Sequence, residues 1–396
     1  MKPLERKTRL EALLLGFQDI WRPQPFKIET PEWCTDYPAL TAELLALDDL
    51  NVERLSTDNP ASIGFLAGHM PELAELAGLI DLPFLDPDGS RTGKEDDRLF
   101  TDIPGRKQAQ ILAYADAIGE PAAPVLEWCA GKGHLGRLLA HRWQRPVASL
   151  EIDATLCAAG EHLARRTKAD AIQHFIHADA LEHQSARHLT GRHAIALHAC
   201  GDLHTRLVTE AVARNSPALD LVPCCYYRTV AEPYVPMSGG QLTLSRDDLH
   251  LAVTETVTAS PRLQRRSRQA LAWKLAWLEL RRQLIGEDGY RSFPSVQETW
   301  LRGDFSAFAV RMAERAAIDL RPDHDDLTRF EALGHARAAR MLRLQLPRLA
   351  FRRALEVWLV MDMAVYLEQN GYRVEVTTFC PRDLTPRNLL LSARRM

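Results

Sequence analysis

The sequence predicts an α/β protein: a Rossmann-like sheet, with an N-terminal helical region before it and a helical insertion after the fifth strand. Three observations predict this. From about residue 105, short apolar runs alternate with helical stretches, which is how parallel βαβ units read. The first run turns through closely spaced glycines into an amphipathic stretch. After a long helical interruption, the chain returns to one helix and two apolar runs.

Residues 1–100 read as helical and irregular. LTAELLALDDL and MPELAELAGLI carry apolar residues at helical spacing, while the Pro-rich WRPQPFKIETPEW and DLPFLDPDGS break the pattern. Residues 101–229 form the core. A helix over RKQAQILAYADAI precedes strands at PVLEWC, PVASLEI, IQHFIHA, AIALHAC and LDLVPCC, with helices between the first four pairs. Residues 230–345, containing RRSRQALAWKLAWLELRRQL and ERAAIDL, read as the insertion. Strand C-termini hold the ligand in open α/β sheets, so the insertion is expected to cap that end. Residues 346–396 complete the core with helix LAFRRALEVWLVMDMAVYLEQN and strands YRVEVTTFC and NLLLSARR.

With 396 residues, 46% hydrophobic and 26% charged, the chain can build a large core and more than one domain. A net charge of −3 excludes a globally basic nucleic-acid coat, though not a local basic face. Seven cysteines give no disulfide-scaffold pattern. MKPLERKTRLEALLLGF has only a short apolar run and no small-residue cleavage site, so no signal peptide is expected. No stretch of about 18 uncharged apolar residues exists. A cytoplasmic enzyme with no membrane segment is the expectation.

The loop after the first strand carries the chemistry. Gly131, Gly133 and Gly136 spell GxGxxG, which alone fits a dinucleotide site as well as any other. Glu127 shifts the balance, because an acid at that strand end would repel a pyrophosphate, whereas S-adenosylmethionine carries a sulfonium and an ammonium. Glu127 is expected at the methionine end, with Gly131 and Gly133 allowing close backbone approach. Glu151, about twenty residues on, is placed for ribose hydroxyls. Asp179, in HADAL, is placed for the adenine amine or for capping a helix. An NAD-dependent dehydrogenase and a structural glycine turn are the alternatives.

AGKGHLG, ALHACGDLHTRLV, VPCCYYR and TPRNLLL together resemble the methyltransferase-like family often labelled as ribosomal RNA adenine dimethylase domain-containing. They are more distantly similar to a tRNA 2′-O-methyltransferase family with a histidine-x-cysteine-glycine element and a cysteine pair. The resemblance covers about 100–230 and 346–396, and implies a class I methyltransferase using S-adenosylmethionine. It departs at Cys129, where the first glycine of the cofactor loop is usual.

On the acceptor side, HACGD ends the fourth strand. His198 could act as a general base or sit in the core, and Asp202 could orient it or touch the cofactor's ammonium. Gly201 fits a tight strand-to-helix turn. Cys224 and Cys225 end the fifth strand. With Cys200 they resemble the layout of RNA 5-methylcytosine enzymes, in which a thiolate attacks the base, but buried cysteine is also an ordinary small hydrophobe. Zinc on His198, Cys200 and Cys224 is conceivable yet lacks CxxC spacing, and no metal is assigned. Tyr226 and Tyr227 fit either a stacking platform or packing. The N/D-P-P-Y/F element of many amino-methyltransferases is missing.

Arginines cluster at 262, 265, 266 and 268, and again at 337, 340, 343, 348, 352 and 353. Facing a cleft, they would hold phosphates; arginine-rich helices are otherwise solvated surfaces. RNA, a tRNA or rRNA, is the expected acceptor. A protein, a small molecule, or a role as an inactive cofactor-binding interaction protein are the other readings.

Overall fold

The computed structural model describes residues 1–85, 97–100, 102–255, 261–286, 290–292, 295–321 and 327–396. The second half of the expected breaker DLPFLDPDGS, residues 86–90, and the expected boundary at 101 lie outside the described residues. Seven strands form one sheet among them: β1 Val125–Trp128, β2 Val147–Glu151, β3 Gln173–His177, β4 His193–Cys200, β5 Ala218–Cys224, β6 Tyr372–Thr378 and β7 Leu389–Arg395. Their order is β3-β2-β1-β4-β5-β7-β6. β1 to β5 are parallel, and β7 runs antiparallel to both β5 and β6. This is the class I methyltransferase type of α/β sheet that the sequence predicts, with every expected strand present.

β1, β2 and β5 are buried along their whole length, as strands covered on both faces must be. The helices His134–Trp143, Ala154–Arg166 and Asp202–Ala213 follow β1, β2 and β4. The expected helix between β3 and β4 is replaced by a 3₁₀ stretch, His183–Leu189. There the Ser185 hydroxyl donates to the Asp179 carbonyl at 2.6 Å, a side-chain bond to backbone that competes with regular helix. The chain order changes direction between β1 and β4, so the C-terminal ends of these strands frame a crevice.

The chain divides into a sheet unit, residues 1–16, 78–257 and 352–396, and a helical unit, residues 17–77 and 258–351. This departs from the four consecutive segments expected from sequence. Helix Pro3–Gly16 belongs to the sheet unit because Lys7 and Glu11 reach the buried helix Arg352–Gln369. The Lys7 Nζ lies 3.4 Å from the fully buried Asp362 carboxylate. Asp362 also accepts from the Tyr234 hydroxyl at 2.6 Å, the Met237 N–H at 2.7 Å and the Ser238 hydroxyl at 2.6 Å. A buried charge needs such partners, and these tie residues 234–238 to the sheet rather than to the insertion.

The helical unit has its own core, in which Trp273, Trp277, Phe305, Phe308 and Phe330 pack together. Helix Pro261–Ile285 lies along helix Leu327–Leu344. No helix among the described residues is long and apolar enough to cross a membrane.

Candidate active site

The turn after β1 is shaped by left-handed backbone. Cys129, Gly131 and Gly133 have φ of +57°, +59° and +61°. At Gly133 a Cβ would lie 2.5 Å from both the Gln173 Nε2 and the Phe175 ring, so any other residue must displace these two side chains. Gln173 closes a network here, donating to the Gly133 carbonyl at 2.8 Å and to the Ser149 hydroxyl at 2.9 Å. Ser149 in turn donates to Glu127 Oε2 at 2.7 Å.

Glu127 therefore stands away from its expected place. It does not line the cavity at the strand ends, and only 4% of it is exposed. Burial pushes its carboxyl up to about 7, against the pull of Ser149 and the Gly136 N–H. A side chain at this position of β1 points under the first turn of helix His134–Trp143, because alternate residues of a strand face opposite sides. Glu127 braces the loop from beneath.

A cavity of about 400 Å³ opens at the ends of β1, β2 and β4, lined by Cys129, Leu150, Glu151, Ile152, Asp179, Ala180, Leu181, Cys200, Asp202, Leu203 and Arg228. Four of the expected site residues, Cys129, Glu151, Asp179 and Asp202, come together here. Glu151 Oε2 accepts the Gly131 N–H at 2.8 Å, and Oε1 accepts the N–H groups of Ile152 and Asp153 at 3.0 Å each. Those three bonds fix the carboxylate and leave one lone pair, on Oε2, for a ribose hydroxyl. Asp179 makes a turn, accepting the Leu181 N–H at 2.8 Å, and is not a helix cap. Burial and the nearby Glu151 push the Cys129 thiol up to about 12.

Three acids against one arginine make the cavity a host for a cation, flanked by Leu150, Ile152 and Leu203 for an apolar ring. The lining fits S-adenosylmethionine, whose sulfonium and ammonium suit the acids and whose adenine ring suits the apolar side chains. A pyrophosphate would meet repulsion from the same acids. The preference for a cation expected of Glu127 thus resides in these three residues.

At the ends of β4 and β5, Gly201 has φ +52°, and a Cβ there would come within 1.7 Å of the Arg228 carbonyl oxygen. That carbonyl accepts the Asp202 N–H at 3.0 Å. The Asp202 carboxylate accepts the Val230 N–H at 2.8 Å. The chain after β5 therefore folds back over the start of helix Asp202–Ala213. Arg228 reaches the cavity this way, and sequence reasoning missed it; its position just after CCYY is the signal that could have found it.

His198 occupies a β-bulge at φ +67°. Its Nε2 sits 3.3 Å from Gln110 Oε1, and its buried Nδ1 has no partner among the described residues. Burial, then Arg387 and Lys107, lowers it to about 4, so it is neutral at pH 7. It does not line the cavity with Asp202, and no bond between the two is present among the described residues. Tyr226 is 4% exposed, packed edge-on to His204 with ring centres 5.3 Å apart. That burial rules it out as a stacking platform. Tyr227 packs on His250 at 4.9 Å.

Cys200, Cys224 and Cys225 bring their sulfurs within 4.8 Å of one another. Cys225 is drawn down to about 5, first by its hydrogen bond with Cys224 and then by Cys200, Arg228 and Arg387. Cys224 is raised by the same bonds.

The arginine clusters differ. Arg262, Arg265 and Arg268 are exposed on helix Pro261–Ile285, Arg268 pairing with Glu53 at 3.0 Å and the half-buried Arg266 with Glu298. The second cluster is spent inside the protein. Arg337 pairs with Glu279, Arg340 reaches Thr30 at 3.3 Å and Arg343 the Leu47 carbonyl at 2.9 Å. Arg348 bonds the Arg22 carbonyl at 2.8 Å, Arg352 the Thr254 carbonyl at 2.8 Å and Arg353 the Glu356 carboxylate at 2.6 Å.

Residues 107–232, about a third of the chain, match the family model described as a methyltransferase domain. The methyl donor of such a domain is S-adenosylmethionine. A search of curated proteins finds no match. Solved structures similar to the chain include geranyl diphosphate C-methyltransferase from Streptomyces coelicolor A3(2), at 15% identity over 35% of this chain and 52% of that one, TM-score 0.26. A putative sarcosine dimethylglycine methyltransferase from Galdieria sulphuraria aligns at 11% identity over 73% and 80%, TM-score 0.24. The 23S rRNA methyltransferase ErmE aligns at 15% over 61% and 97%, TM-score 0.24. The chain spans about half the length of the first of these.

Proposed function

We propose that this chain transfers a methyl group from S-adenosylmethionine, bound in the cavity of Glu151, Asp179 and Asp202, to an acceptor presented beside the ends of β4 and β5. The observation that carries this reading is the cavity itself: three carboxylates and an apolar floor at the mouth of a left-handed glycine turn. When bound, the cofactor supplies an electrophilic methyl. The protein's part is to hold the ribose and ammonium, align the acceptor and exclude water, and placement of this kind is worth ~7–11 kcal/mol in well-oriented systems. Neutral His198 is held near Gln110, and its low basicity makes it a weak proton acceptor.

RNA is the acceptor class we favour, supported by the exposed Arg262 and Arg265 on one helix, where phosphates would be neutralised with strong salt dependence. The internal bonds of the second cluster leave the first to carry this reading. We further propose that parts of the 258–351 segment serve acceptor binding rather than cofactor binding, since every lining residue of the cavity belongs to the sheet unit.

Calorimetry with S-adenosylmethionine, S-adenosylhomocysteine and NADH tests the cofactor. Binding of the first two and not the third is expected. Glu151→Ala should weaken binding by about tenfold or more, as loss of charge-assisted bonds costs ~1.5–3 kcal/mol; unchanged affinity would remove the assignment. Tritiated donor incubated with fractionated RNA, protein and metabolite extracts then tests the acceptor, and label outside RNA would reject that class.

A further inference from the structure

Cys200 and Cys224 are register partners on the parallel strands β4 and β5, and their sulfurs lie 3.2 Å apart. In a continuing strand Cys225 would point to the opposite face from Cys224. Its φ of +45° breaks the alternation, and all three sulfurs meet within 4.8 Å. A β-carbon residue held left-handed is strained. Cysteines that merely fill a core are wholly buried and need no such turn, yet Cys200 and Cys225 are half-buried and Cys200 lines the cofactor cavity.

We propose that Cys200, Cys224 and Cys225 form a three-thiolate site for Zn²⁺, with a fourth position open toward the cavity. Zn–S bonds of about 2.3 Å in a tetrahedron put the sulfurs about 3.8 Å apart, longer than the 3.2 Å between Cys200 and Cys224 and inside the 4.8 Å within which all three lie. The site needs small shifts and no backbone rearrangement. Each thiol that binds loses its proton to solvent as the Zn–S bond forms, so metal uptake releases protons. Three thiolates on a dication leave one negative charge, which Arg228 at the cavity edge and Arg387 nearby can balance. Thiolates select Zn²⁺ over the harder divalent ions, and three protein ligands with an open position are the arrangement of a reactive rather than a structural site. From the sequence, zinc on His198, Cys200 and Cys224 is conceivable but not assigned, for want of CxxC spacing; the fold puts Cys225 in the place of His198.

The test uses the full chain, purified reduced, incubated with Zn²⁺ or Co²⁺ and passed over a desalting column. One zinc per chain by elemental analysis is expected, with Co²⁺ giving thiolate charge-transfer absorption in the near ultraviolet and the strong visible bands of a tetrahedral centre. Cys225→Ser, checked for native circular dichroism, should weaken retention by about a hundredfold. Cys200→Ser serves in the same way should Cys225→Ser misfold. Retention equal to that of the serine variants would overturn the site, and so would a Cys200–Cys224 disulfide in freshly reduced protein by mass spectrometry. Calorimetry with S-adenosylmethionine on the same samples separates failure of the metal site from failure of the cofactor site.

Discussion

Two stretches of the sheet's C-terminal edge, both at the ends of internal strands, meet the same demand of sharp backbone reversal by different means. At β1 the left-handed positions fall mainly on Gly131 and Gly133, and a chain of polar side chains from Glu127 through Ser149 to Gln173 braces the turn. At β4 and β5 they fall on His198, Gly201 and Cys225, and only one of the three is glycine. Glycine takes such angles freely, so the first stretch is relaxed. The second stores strain of ~1–3 kcal/mol at each non-glycine residue. The strained stretch is where the acceptor would react, and it holds the three thiols.

The largest expected break in this comparison is Gly201→Ala. The new Cβ would meet the Arg228 carbonyl at 1.7 Å, a backbone atom fixed by the Asp202 N–H. Neither can yield without undoing the return of residues 225–230 over the helix. A loss above ~4 kcal/mol is expected, read as a collapse of soluble protein or a large drop in urea midpoint. Gly131→Ala is the partner measurement, since nothing lies within 4 Å of its Cβ. It should cost only the left-handed penalty of ~1–2 kcal/mol. Equal effects of the two would erase the distinction between the stretches.

Glu127 sharpens the comparison through pH. Its carboxyl stands at about 7 when folded, against 4.5 for an unhindered group, because burial disfavours the charge. The contribution to stability is intact below the unfolded value and is lost as pH rises through about 7. At ~1.4 kcal/mol per unit, roughly 3 kcal/mol disappears between about pH 4.5 and pH 7. Glu127→Gln stays neutral and should escape that loss, so urea unfolding should show the variant overtaking the parent at the higher pH. Parallel pH profiles would mean that the carboxylate is solvated or paired with a ligand, as the sequence expectation had it.

These cases show what could be read in advance. The seven strands, the glycine turn and the acids Glu151, Asp179 and Asp202 follow from periodicity and strand-end spacing, which are local. The misplaced residues depend on which face a side chain takes. Glu127 sits one strand position from facing the other way, and Tyr226 differs from Tyr227 by a single step that buries one ring. The return that brings in Arg228 is a contact between distant segments, as is the grouping of 17–77 with 258–351, and neither leaves a period in the sequence. Ser149 and Gln173, polar residues inside apolar strands, were the available sign that something beneath the loop needed partners.

The smallest expected effect tests the one residue where the relaxed stretch resembles the strained one. Cys129 holds φ +57° where glycine would be at ease, and its thiol lines the cavity. Cys129→Gly relieves ~1–2 kcal/mol of left-handed strain. It loses ~0.4–1 kcal/mol through the freer unfolded chain and about 1 kcal/mol of side-chain burial. The sum should lie within about 1 kcal/mol of zero in denaturant unfolding, and the pocket gains room at its entry. Affinity for S-adenosylmethionine should stay within about threefold or rise, because the fixed acids and not the thiol are assigned the contacts. A tenfold loss of affinity with unchanged stability would make the Cys129 sulfur a cofactor contact in its own right, and would explain why strain is tolerated at that position.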